Sequence, residues 1–111
     1  MAKQLVITDP KSGEKYTLEY TRATVSMMEK QGFVADELTS KLATMIPALF
    51  AGAFLAHHRK VKRETVERIY ELMPNKDKLL EALITMYQEP INALLEDPEG
   101  DEGNMNWTVN W

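Results

Sequence analysis

Hydrophobic and polar positions alternate twice near the start of the chain. Over residues 15–20, Tyr16, Leu18 and Tyr20 fall on one side and Thr17 and Glu19 on the other; Leu5 and Ile7 give residues 3–8 the same period. A period of two predicts strands. The connecting Asp9-Pro10-Lys11-Ser12-Gly13-Glu14 has turn chemistry: Pro10 fixes φ, and Gly13 can take the positive φ that closes a longer hairpin loop. A lone hairpin is marginal in water, so the apolar side of residues 3–20 must lie on helices.

From Arg22 apolar residues recur every three or four positions. Residues 22–31 place Val25 and Met28, with Met27 beside them, on one face, and Gly32 follows as a C-terminal cap. Residues 36–58 carry Leu38, Leu42, Met45-Ile46, Leu49-Phe50 and Ala53-Phe54 on one helical face, interrupted by Pro47. Two solutions keep that face inward. One is a kink or break near Pro47, which is favoured; the other is a fresh start at about Thr44, with Pro47 in the first turn where its missing N–H costs little.

Residues 62–73 set Val66, Ile69, Tyr70 and Met73 against outward Glu64, Glu67 and Arg68, and Pro74-Asn75 stops them. Residues 76–96 have the clearest pattern, Leu79-Leu80, Leu83-Ile84, Tyr87, Ile91 and Leu94-Leu95. Pro90 should bend that helix, at roughly 3 kcal/mol if nothing compensates. The expected fold is α+β and mostly helical: an N-terminal β-hairpin packed on three to four α-helices, one domain over residues 1–96. A flexible acidic tail over residues 97–111 completes it.

Composition narrows the chemistry. A chain of 111 residues builds one core. It has no Cys, hence no disulfide and no thiolate nucleophile. Met1-Ala2-Lys3-Gln4 does not open an apolar signal core, and residues 45–56 are too short to span a bilayer, so neither secretion nor a membrane is expected. The formal net charge of -4 is concentrated at one end. Residues 96–111 hold Glu96, Asp97, Glu99, Asp101 and Glu102 and no Lys or Arg; without them the chain's 17 acids fall below its 13 bases. The opposite bias lies at His57-His58-Arg59-Lys60-Val61-Lys62-Arg63.

No Gly-rich phosphate loop, nucleophile motif or two-His helical metal signature is present, so no enzyme, cofactor or metal site is expected. Adjacent His57 and His58 would diverge on a helix; they read as polar or cationic residues at a helix C-terminus, favoured by its dipole. Asp97, Glu99 and Asp101 mimic a calcium loop, but Glu102 stands where Gly is needed and no closing Glu follows. The basic run before residues 62–73 suggests a helix-turn-helix, yet Glu64, Glu67 and Glu71 on the exposed face would repel phosphates. Nucleic acid is therefore not expected as a partner, and the basic residues read as a solvated, salt-bridged helix start.

Two features point to a protein partner. Residues 45–56 are apolar nearly all round, with small Ala51-Gly52-Ala53 and Ala56 beside Phe50, Phe54 and Leu55. The small residues fit close helix packing within the fold, but so apolar a helix is hard to bury from within a small domain, and an exposed apolar side implies a partner. The candidate contacts are Met45, Leu49, Phe50, Phe54 and Leu55. Seven methionines fit either a gap-filled core or an adaptable groove. In the tail, Met105, Trp107, Val109 and Trp111 alternate with polar residues, a strand-like tether whose Trp107 and Trp111 can serve self-association.

Thr44-Met45-Ile46-Pro47, Leu49-Phe50, Gly52-Ala53-Phe54, His57-His58 and Gly103-Asn104-x-Asn106-Trp107, with the short hairpin start, resemble the tail assembly chaperones of long-tailed, siphovirus-type bacteriophages or prophages of Gram-positive bacteria. The resemblance spans most of the chain. It implies a non-enzymatic protein that binds the helical, aggregation-prone tape measure protein and keeps it soluble while tail tube subunits assemble. It also implies residence in the host cytoplasm and absence from the mature virion. A longer form made by translational frameshift, diverging within residues 103–111 and reaching the tail tube protein, is a further implication. The alternative from the residues alone is a small nucleic-acid-binding regulator using Arg59, Lys60, Lys62 and Arg63; a virion adaptor is a third reading.

Overall fold

The computed structural model describes residues 3–96 and 108–109. Strands β1 (Leu5–Thr8) and β2 (Lys15–Leu18) pair antiparallel, with Leu5 opposite Leu18 and Thr8 opposite Lys15. Asp9 N–H donates to the Glu14 carbonyl, and Gly13, at φ 77, donates its N–H to the Asp9 carbonyl. A residue with a Cβ would be strained at that φ. Ile7, Tyr16, Leu18 and Tyr20 are buried, as the alternation requires.

Helix α1 (Arg22–Lys30) starts at a reciprocal cap: Thr21 Oγ1 accepts from Thr24 N–H, and Thr24 Oγ1 accepts from Thr21 N–H. That satisfies two otherwise orphaned donors. Val25 and Met28 face inward, and Gly32 follows at φ 99. Helices α2 (Leu42–Gly52), α3 (Arg63–Leu72) and α4 (Lys76–Ala93) complete the fold. The architecture is α+β and mostly helical, a hairpin followed by four helices. One core joins Leu18, Met28, Phe33, Leu49, Phe50, Phe54, Ile69 and Leu83.

The region 36–58 departs from expectation. It is not one helix kinked at Pro47. A single 3-10 turn covers Ala35–Glu37, and the break falls at residues 38–41. Ser40 and Lys41 N–H both close back on the Glu37 carbonyl, and Ser40 Oγ reaches the same oxygen at 3.4 Å. Thr39 and Ser40 favour such local bonds over helix. α2 then begins at Leu42 and runs through Pro47. The carbonyl that Pro47 leaves unserved belongs to exposed Ala43, where water can reach it. Leu42 is therefore 56% exposed rather than inward, and at the far end of α4 Leu94 and Leu95 are exposed too.

Candidate functional site

Three devices position the surface around α2. The first is at the end of the helix. Ala53 N–H turns to the Phe50 carbonyl, so the Leu49 carbonyl loses its helical donor; the buried Tyr20 hydroxyl donates to it at 2.6 Å. Burial pushes the Tyr20 phenol well above its ordinary value, because the phenolate would be desolvated. Gly52 lies under the Met28 thioether of α1, and a Cβ there would collide with it. The small patch at residues 51–53 thus serves the close approach of α1 and α2.

The second device is the loop after α2, which closes the outer edge of β2. Glu19 N–H donates to the Ala53 carbonyl at 3.0 Å, and Thr17 N–H donates to His58 Nε2 at 2.9 Å. His57 Nε2 meets Glu19 Oε1 at 2.7 Å, and Gln4 Nε2 donates to the same oxygen. The His57 and Gln4 hydrogen bonds hold the Glu19 carboxyl below its ordinary value, against the opposing effect of burial. The histidines do not sit at a helix C-terminus, where their sequence position had placed them as polar or cationic residues. α2 stops at Gly52, so both belong to a loop, and His58 Nε2 acts as an acceptor, which requires its lone pair. An exposed strand edge is a site of unwanted pairing, and this one is covered.

The third device fixes the hairpin to α3. Arg68 is not an outward residue: its guanidinium donates to Asp9 Oδ1 at 3.0 Å and Oδ2 at 2.7 Å. Asp9 is 0% exposed and also accepts from Lys11 N–H and Ser12 Oγ. The Arg68 fork, then the Lys11 N–H, hold its carboxyl well below the usual carboxylate range. Asp9 had looked like an ordinary turn residue; only the fold brings Arg68 to it.

Between α1, α2 and the start of α3 these devices leave a cleft of about 450 Å³. Met28, Phe33, Ala48, Ala51 and Leu55 line it, and Arg59 and Arg63 stand on its rim. The sequence-derived contact residues separate here. Leu49 and Phe50 are enclosed by the protein's own core, at 0% and 1% exposure. Met45 and Phe54 are also buried, although they border the cleft. Leu55 is half-buried and lines it. The apolar helix is thus mostly consumed by the fold, because the hairpin, α1 and α3 close on it from several sides. What α2 and its following turn still present is a narrower strip of Ala48, Ala51 and Leu55. Trp107 and Trp111 lie outside the described residues, as do residues 97–103; Val109 is described and is 51% exposed.

Among the described residues no group of three or more His, Asp or Glu is placed to hold a metal ion, and no helix is long and apolar enough to cross a membrane. Among the described residues, one buried side-chain oxygen, Glu89 Oε2, lacks a hydrogen-bond partner, beside a hollow bordered by Lys3 and Arg22.

The class defined by this geometry is a small α+β domain with an arginine-rimmed apolar cleft. Its whole length, residues 1–111, matches the model of the family described as domain of unknown function (DUF5055), and the chain belongs to that family. No curated protein and no solved structure matches the chain.

Proposed function

We propose that this protein is a non-enzymatic phage tail assembly chaperone that binds the helical tape measure protein and keeps it soluble during tail tube assembly. The observation that carries the reading is the cleft beside α2. Its wall of Ala48, Ala51 and Leu55 lets a second helix approach closely. Recognition of an amphipathic helix by a groove needs such a surface and no chemistry. The resemblance of residues 44–58 and 103–107 to phage chaperones supports the same reading. Each site would be weak, because only the apolar area surplus to ordering costs becomes affinity, so many copies along one long client supply the grip. The protein would act in the host cytoplasm and leave before the virion matures.

Co-expression with a tape measure protein tests this. The wild type should hold the client in the soluble fraction, and Ala51→Glu, which puts a charge in the cleft, should not. A client equally soluble with both, or insoluble with both, would overturn the assignment. The exposed Arg59, Lys60, Lys62 and Arg63 favour a second reading, a nucleic-acid-binding regulator. It predicts duplex DNA binding that falls steeply with salt.

A further inference from the structure

We propose that the cleft and the basic hollow beside it dock the acidic, tryptophan-bearing segment 96–111 of a second copy of this chain. The two depressions are neighbours, sharing His58, Arg59 and Val61 in their walls. One is largely apolar; the other, about 660 Å³, is bordered by Arg59, Lys60 and Lys62, which outnumber the single carboxylate Glu14 among its described lining residues. Arg59, Lys60, Lys62 and Arg63 are exposed, and among the described residues only Arg63 of the four has a carboxylate partner, Glu67 at 3.5 Å. The segment carries the matching halves. Glu96, Asp97, Glu99, Asp101 and Glu102 complement the cations, and Met105, Trp107, Val109 and Trp111 complement the apolar floor.

Length permits both halves to engage together. Seven extended residues, 96–102, cover roughly 23 Å, and the first tryptophan follows five residues further on. The occupant is a second copy because, within one copy, Thr108 and Val109 are exposed and neither lines the cleft of its own chain. Reciprocal exchange of the segment between two copies gives a two-fold dimer, and one-way insertion gives rings or open chains. The inference does not depend on the chaperone reading, and its test needs this protein alone.

Both tryptophans of the chain lie in the segment, so indole emission reports directly on docking. The full chain is followed by light scattering and tryptophan fluorescence as concentration and salt are varied. Rising concentration should raise the mass above the monomer and shift emission to the blue together, and added salt should weaken both. Arg59→Glu with Lys62→Glu should weaken association by about tenfold or more. Adding Glu99→Lys and Asp101→Lys to that same chain should restore it, which a merely unfolded variant could not do. A monomeric mass at every concentration overturns the proposal, whether emission is that of exposed or of buried indole. Association unaffected by the charge reversal overturns it as well.

Discussion

Asp9 and Glu19 are the two carboxylates whose surroundings do the most for the fold. Both are held below their ordinary values, Asp9 chiefly by Arg68 and Glu19 chiefly by His57. A depressed carboxyl stabilises the folded state fully above the unfolded value of about pH 4 and loses that contribution as pH falls through the folded value. Urea midpoints should therefore drop on acidification below about pH 4, and Arg68→Ala should lower the midpoint at pH 7 while flattening the acid dependence. Tyr20 works with the opposite sign. Its phenol is raised by burial, so its contribution holds below about pH 10 and is lost in stronger alkali. Tyr20→Phe should cost about 1 kcal/mol at neutral pH, from the unpaired Leu49 carbonyl, and remove part of the alkaline loss. His58→Phe keeps a ring but strands Thr17 N–H; denaturant melts should show a loss of about 1 to 3 kcal/mol.

At the scale of elements, the contact between α1 and α2 depends on one missing methyl group. Gly52→Ala gains helix propensity, up to about 1 kcal/mol, but forces the buried Met28 thioether aside, and overpacking of this kind costs about 1 to 3 kcal/mol. A net loss near 1 kcal/mol in thermal denaturation is expected, and a stabilised variant would contradict the packing described. The hairpin, α1, α3 and α4 were legible in the sequence because alternation and helical spacing report burial directly. The start of α2 was legible only as the less favoured alternative, a fresh start at about Thr44, two residues past the observed Leu42. Its apolar spacing continues through Leu38 and Leu42, while the break depends on Ser40 and Lys41 satisfying the Glu37 carbonyl locally. Likewise Arg68 and Asp9 are 59 positions apart, and His58 and Thr17 are 41 apart. No local periodicity carries pairs so distant. The apolar excess of residues 45–56 was visible; how much of it the other elements would cover was not.

For the whole molecule, the central question is what the remaining strip of α2 touches. The large side chains Met45, Leu49 and Phe50 of that helix are core, so on the cleft side a partner meets Ala48, Ala51, Leu55 and the rim above them. The most direct measurement places a photo-crosslinking residue at Leu55 in one variant and at exposed Lys78 of α4 in another, each mixed with a helical tape measure segment. The account predicts covalent capture of the segment from position 55 and little or none from position 78. Equal capture from both, or capture from position 78 alone in proteins with wild-type circular dichroism, would contradict it.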